Sequence, residues 1–558
     1  MLASNRRLAV LGATLAVVCG AVAVYLAVQP GGNPVVADEK KPGDQPAAEM
    51  ARMWPLFGGH VNRNMVNTID RNVPDDWEVR KNEQKKNFKW VAKLGSRSYG
   101  GPVVAGGKIF VGTNNQAPRN PRDADPKRIN PATKKPEPID KGVLMCFRQS
   151  DGAFLWQHVN DKLPSGQVHD WPHEGVCSTP VVEGNRLWYV TNRCSVACLD
   201  VDGFANGNQG KQDEQYKTET DADVIWEFEM MKTLNVFPHN MSACAPLIVG
   251  DILFVVTANG VDEGHINIPA PQAPSFIALN KNTGELIWKD DSPGRNIMHG
   301  QWSNPTYAEI GGVPQIIFPG GDGWLRAFEP KTGKLIWKCD CNPKKAGRYQ
   351  LGGKGERSDF IATPVVYEDR VYIGTGQDPE HYEGIGHLWC IAPSGKTGDL
   401  SSELVTKDND DPTKRETKEN PNSGIVWHYG GTNNDPNANR TYDYGRTMST
   451  CAIHDGIVYA AELAGYLHCL DAKTGKVHWV HDLKSAIWGS PYWVDGKVYV
   501  GTEDGDVFIF KHGTKAEQPA RVQVGGEAGG GEPVRSTPIV VDGVLYIMTE
   551  SNLYAIKK

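Results

Sequence analysis

The chain has no excess of positive charge. Its 558 residues include 59 Lys and Arg against 66 Asp and Glu, a formal net charge of −7. That balance gives no footprint for a polyanion such as nucleic acid. There is no block of like charge long enough to act as an interaction tail, and lysine-rich stretches such as residues 81–89 read as solvated faces. Cys-x-x-Cys-His is missing, which excludes a covalently attached c-type haem. No two of the eleven cysteines are adjacent; the nearest pair, Cys339 and Cys341, is split by Asp340.

One long uncharged run is present at the N-terminus. Arg6 and Arg7 precede residues 8–28, which are long enough to span a bilayer as a helix and longer than the usual core of a signal peptide. The expectation is export, with residues 1–28 as signal or membrane anchor and the body outside the cytoplasm, either tethered to the inner membrane or released. A small-residue cleavage site is available at Val35-Val36-Ala37. Cys19 follows Val18, where a lipoprotein signal wants a small residue, and this argues against lipidation. Residues 29–53 are a Pro/Gly/Glu/Lys-rich linker with too few apolar residues to fold alone.

Beyond the linker a phrase ending in Thr-Gly-x-x-x-Trp returns. It occurs as Leu279-Asn-Lys-Asn-Thr-Gly-Glu-Leu-Ile-Trp288, as Phe328-Glu-Pro-Lys-Thr-Gly-Lys-Leu-Ile-Trp337 and as Leu470-Asp-Ala-Lys-Thr-Gly-Lys-Val-His-Trp479, with degenerate copies ending at Trp156, Trp226 and Trp427. A fixed phrase at this kind of spacing marks a repeat architecture. Each unit reads as four short strands rich in Val, Ile, Tyr and Trp and bounded by Gly and Asp, which is the make-up of a propeller blade. Innermost strands begin near Pro102, Pro180, Pro246, Pro305, Pro364, Cys451, Pro491 and Pro538, so eight blades are expected. The last unit ends at residues 553–556 with no room for its Trp strand, and residues 88–94 supply one. The expectation is therefore an all-β, eight-bladed β-propeller over residues 88–558, closed by an N-terminal strand and preceded by a lead-in over residues 54–87. Closure of this kind removes open sheet edges.

These units resemble the quinoprotein-type propeller repeat found in pyrroloquinoline quinone (PQQ) dehydrogenases and in the outer-membrane assembly lipoprotein BamB. Trp54-Pro-Leu-Phe-Gly-Gly59 resembles a lead-in of exported bacterial members. In the dehydrogenases the resemblance implies an adjacent-cysteine disulfide ring against the quinone, a Trp on its other face, and Ca²⁺ held by Glu, Asn and Asp beside a catalytic Asp. Such a cation needs converging oxygens and polarises the quinone carbonyl. Without the cysteine pair, this chain carries no cofactor signature of its own, and PQQ and Ca²⁺ are the candidates that the resemblance alone supplies.

The site should lie where the innermost strands start, on the face that also carries the insertions at residues 114–142, 259–275 and 376–386 and the approach at 428–445. Insertions near 203–223 and 395–424 belong to the opposite face. Long loops on a rigid scaffold are where binding concentrates. The expected channel-mouth candidates are Arg97, Glu174, Asn240, Trp302, Asp359, Arg446, Trp488 and Arg535, with Tyr99, His239, His299, Gln301, Phe360 and Tyr444 at equivalent positions. No catalytic residue is assigned. No metal site is assigned either: His169 and His173 are two histidines in one loop, and zinc needs three or four converging ligands, for which His239 or His299 are the available additions. Cys146, Cys198, Cys390 and Cys469 occupy third-strand positions held elsewhere by small apolar residues and read as core. One or two disulfides among the remaining cysteines are left open.

The leading expectation is an exported, membrane-tethered, non-catalytic propeller that binds a protein or envelope component through its loop-rich face. A PQQ- and Ca²⁺-dependent dehydrogenase of alcohols or sugars and a small-ligand sensor stay open beside it.

Overall fold

The computed structural model describes residues 53–80, 83–347, 356–381, 383–526 and 531–558. The expected membrane helix over residues 8–28 and the linker up to residue 52 lie outside them. No helix of the described residues is long and apolar enough to cross a membrane.

Among the described residues eight sheets follow one another around the ring, each built on four antiparallel strands, and those of blades 4 and 7 carry a fifth, parallel strand. Blade 1 comprises Val103–Ala105, Lys108–Asn114, Lys141–Arg148 and Phe154–Asp161. Blades 2 to 7 start at Val181, Leu247, Thr306, Val365, Ala452 and Tyr492. Blade 8 has only three strands of its own, Ile539–Val541, Val544–Met548 and Asn552–Ile556. Its outer strand is Phe88–Lys93, paired antiparallel with Asn552–Ile556 so that Trp90 faces Ala555. The expected closing strand is present, and the ring has eight blades.

The repeated phrase has a packing reason. Its glycine turns at positive φ and lies on the tryptophan of the preceding blade. A Cβ on Gly284 would stand 2.7 Å from the Trp226 ring, one on Gly333 2.7 Å from Trp288, and one on Gly475 2.6 Å from Trp427. The same tryptophans donate their indole N–H to the neighbouring turn: Trp226 to Lys281 O, Trp288 to Pro330 O and Trp427 to Ala472 O. Trp90 repeats the device across the closure, with Gly152 of blade 1 against its ring and Gln149 O accepting its N–H. Across the strand each tryptophan meets a small residue: Cys146 opposite Trp156, Cys198 opposite Trp226, Ala278 opposite Trp288 and Cys469 opposite Trp479. The third-strand cysteines are therefore core residues. All ten described cysteines are buried free thiols.

The lead-in does more than precede the ring. Residues 54–70 run through the channel and meet the innermost strands in blade order. Trp54 exchanges two backbone hydrogen bonds with Val104 of blade 1, and Pro55 O accepts from Val182 of blade 2. Val61 O and Asn62 O accept from Tyr307 of blade 4 and Val366 of blade 5. The Asn64 side chain both donates to and accepts from the Ile453 backbone of blade 6. Val66–Asn67 pairs parallel with blade 7, and the Asn67 amide and Asp70 carboxylate reach Val540 O and Gly543 N of blade 8. Arg63 covers blade 3: its guanidinium donates to Ala245 O and Pro246 O there, to Pro305 O of blade 4, and to Phe57 O within the lead-in. Arg63 is fully buried, and no carboxylate of the described residues comes within ion-pair distance of it. The turn that makes this possible is Gly58-Gly59, both at positive φ; a Cβ on Gly59 would fall 2.4 Å from the Trp54 ring.

One buried histidine makes the scaffold acid-sensitive. His387, in the third strand of blade 5, has its Nδ1 2.9 Å from His428 Nε2. Burial, with help from His428, pulls its pKa down from 6.5 to about 3. A histidine depressed on folding adds stability that is complete above pH 6.5 and lost as pH falls towards 3. Between pH 7 and pH 4.5 its share is about 2–3 kcal/mol. His387→Gln should therefore flatten the fall in melting temperature over that interval, measured by circular dichroism; an unchanged slope refutes the assignment.

Candidate functional site

The channel mouth holds a cavity of about 350 Å³. Phe57 of the lead-in contributes to its lining from within the channel. Tyr99, Trp171, Trp302 and Trp488 supply aromatic wall, and Glu174, Asp378, Glu380 and Arg535 are the charged groups. The wall is built from the segments entering successive innermost strands, where the backbone narrows to Gly100-Gly101 and Gly489. Tyr99 and Trp488 stack with centroids 5.8 Å apart. The Arg535 guanidinium carbon lies 5.0 Å from the Trp488 ring and 5.7 Å from Tyr99, within cation–π range.

The cations here are already engaged. Arg535 donates to Glu503 through two nitrogens and to Glu550 through a third, and these carboxylates raise its pKa against the opposing effect of burial. Arg97 also pairs with Glu550 and stands 3.9 Å from Glu174. Burial and the Glu174 carboxylate raise the Tyr99 hydroxyl far above its ordinary range, so it is a neutral donor at any working pH. Trp302 gives its N–H to the backbone, to Met241 O at 3.1 Å and His239 O at 3.3 Å.

Of the eight sequence candidates, Glu174, Asn240, Trp302, Trp488 and Arg535 line the cavity. Arg97 joins it only through its acidic partners. Asp359 and Arg446 are placed differently from the expectation. Asp359 is 1% exposed, is absent from the lining, and has its carboxyl raised well above the carboxylate range by burial and then by Asp378. Arg446 is buried and donates to His381 O, so it buttresses a loop. His169 and His173 do not meet in a metal site. His169 binds Ser165 Oγ and packs edge-on against Phe237, while the His173 side chain is 64% exposed beside Asp140. Neither belongs to a group of three metal-binding side chains among the described residues.

Sequence reasoning missed Phe57, Trp171 and the Asp378–Glu380 turn. The signal for Phe57 was its place in a Trp-to-Gly-Gly phrase that does not repeat. The 376–386 insertion was placed on this face, but nothing in its composition singled out Asp378.

The set does not fit PQQ. A planar tricarboxylate needs cations to spare, whereas the lining offers three carboxylates against one guanidinium that already holds two glutamates. Cys177 is alone in the lining, and no disulfide is present among the described residues. Glu174 and Asn240 face the cavity, but Asp359 does not join them, so the oxygen set for Ca²⁺ does not converge.

The ring, its tryptophan locks and the channel-mouth site define a PQQ-like β-propeller. The chain belongs to the family described as outer membrane protein assembly factor BamB, which matches residues 140–392 and 420–558. Among characterised relatives, polyvinylalcohol dehydrogenase of Sphingopyxis sp. (strain 113P3) is 31% identical over 111 residues, covering 18% of this chain and 16% of that protein. Tetrathionate hydrolase of Acidithiobacillus ferrooxidans is 21% identical over 345 residues, covering 54% and 61%. The chain thus spans less than two thirds of these relatives' lengths. BamB from Moraxella catarrhalis is similar in structure at a TM-score of 0.45 and 13% identity, covering 84% of this chain and 98% of that one.

Proposed function

We propose that this chain is an extracytoplasmic, membrane-tethered binding propeller that engages a protein or envelope component through its loop-rich face, with an apolar group of the partner seated in the channel-mouth cavity. One observation carries the reading: the cavity has aromatic walls, and its cation is spent on internal carboxylates. Such a site recognises by apolar contact and shape, the kind of pocket in which interface anchors seat. The BamB family membership supports the envelope setting, and the residues 8–28 run supports the tether. The misfit of the lining with PQQ and Ca²⁺ weighs against a quinone-dependent dehydrogenase.

A photo-crosslinking residue in place of Trp488 tests this in living cells, with the same residue at exposed Lys331, in the opposite-face turn between Trp324–Phe328 and Leu335–Asp340 of blade 4, as reference. The expected result is a crosslinked species of discrete mass from position 488 and none from 331. Saturable binding of PQQ with Ca²⁺, read by ultraviolet–visible titration and a raised melting temperature, overturns the reading in favour of the dehydrogenase.

A further inference from the structure

Four histidines from four separate loops converge beside the cavity. His239 comes from the approach to blade 3 and His265 from the insertion between the second and third strands of that blade. His299 enters blade 4, and His381 ends the short turn Pro379–His381 in blade 5. Ring centroids are 4.4 Å apart for His239 and His299, 4.7 Å for His239 and His265, and 4.9 Å for His265 and His299. One ligand atom from each of these three lies within 4.8 Å of the others.

The hydrogen bonds around the cluster determine which nitrogens are available. His239 Nδ1 is 2.9 Å from Val261 O, and a carbonyl can only accept, so Nδ1 carries the proton and Nε2 keeps its lone pair. His299 Nδ1 is 2.9 Å from Asp378 Oδ2, and His381 Nδ1 is 2.8 Å from the same oxygen. A carboxylate oxygen accepts, so both imidazoles donate Nδ1–H to Asp378. His299 Nε2 is thereby left with a lone pair, and it is buried with no hydrogen-bond partner. His239 Nε2 and His265 Nε2 face one another at 3.1 Å.

We infer that His239, His265 and His299 bind a divalent transition ion, Zn²⁺ or Cu²⁺, through their Nε2 atoms, with Asp378 and the Val261 carbonyl orienting the rings. Two nitrogens at about 2.0–2.1 Å from a tetrahedral ion stand roughly 3.3–3.4 Å apart, close to the observed separation. Three neutral imidazoles without thiolate suit zinc and copper. A carboxylate or carbonyl on the far nitrogen is the usual support for a metal-bound histidine. The alternative, a metal-free packed cluster, leaves His299 Nε2 as an unpaired buried acceptor, which is unfavourable. Three ligands leave a coordination position open. Trp302, with its ring 5.1 Å from His299, and Asp378 both also line the cavity, so the ion would sit in the cavity wall. The inference stands apart from the partner-binding reading, and either can fail without the other.

The test is metal titration of the purified chain after chelator treatment, using Zn²⁺ alone and Cu²⁺ alone. Bound metal is counted by elemental analysis and affinity is read by competition with a chromogenic chelator. One equivalent per chain is expected. His265→Gln, at a half-buried loop position, should keep the fold and bind at least about 100-fold more weakly, and Asp378→Asn about 10–100-fold more weakly. His173→Gln, at the exposed loop histidine, should bind as the parent does. Cobalt substitution should give visible d–d bands that disappear in His265→Gln. Less than a tenth of an equivalent bound, or equal affinity in the parent and His265→Gln, overturns the site.

Discussion

A chain that begins at Gly95 will not form a soluble ring. It loses Phe88–Lys93, so Asn552–Ile556 becomes an open edge, and blade 1 loses the Trp90 lock. It also loses the channel lead-in, with buried Trp54, Met65, Val73 and Trp77. Removal of a single buried Trp or Met side chain costs about 2–5 kcal/mol, so the loss of three or four of them is comparable to the whole stability of about 5–15 kcal/mol expected of a folded domain. The open edge adds a template for aggregation. Expression followed by size exclusion and thermal melting should give aggregate or no cooperative transition. A monomer with a sharp melt would show that neither closure nor lead-in holds the ring.

The second large effect is expected at Arg63. Its guanidinium supplies the donors for three buried carbonyls, of Ala245, Pro246 and Pro305, and for the part-buried carbonyl of Phe57. Burial lowers its pKa to about 9, so it remains charged at neutral pH. Arg63→Met keeps most of the volume and removes every donor. Each orphaned carbonyl costs about 1–3 kcal/mol, and relief of the buried charge returns part of the total. The lost hydrogen bonds outweigh the relief because four acceptors lose their donor together, and a net loss of at least about 3 kcal/mol is expected in chemical denaturation. Arg63→Lys should fall between, since an ammonium cannot span the same fork. Parent-like stability of Arg63→Met would mean that water replaces the guanidinium.

Most of the ring was legible because its signals are periodic and local. Thr-Gly-x-x-x-Trp is the trace of one contact, a glycine of one blade under the tryptophan of the blade before, repeated until it is visible above background. The missing eighth Trp strand pointed to Trp90 for the same reason. The lead-in was legible only as a phrase. Its role depends on contacts such as Asn64 with Ile453, 389 residues apart, which leave no period. The site was half legible: residues at repeat-equivalent starts, Glu174, Asn240, Trp302, Trp488 and Arg535, reached the cavity. Asp359 and Arg446 sit at equivalent positions but turn into the protein, because backbone equivalence does not set side-chain direction. His265 and His381 come from insertions with no counterpart in other blades, so no repeat could predict that they meet His239 and His299.

The path of residues 54–70 also bears on how the protein comes into being. They precede every blade in the chain yet bond to all eight, the last through Asn67 and Val540, 473 residues apart. Contacts so distant in sequence are slow to form, because the loop entropy must be surrendered before the contact gives any return. Residues 54–70 therefore emerge before any blade during synthesis, yet their docking is completed only after the final blade arrives. Until then the growing array is an open crescent with two exposed flanks, and the interval between the first and last blade is when it most needs protection from its neighbours.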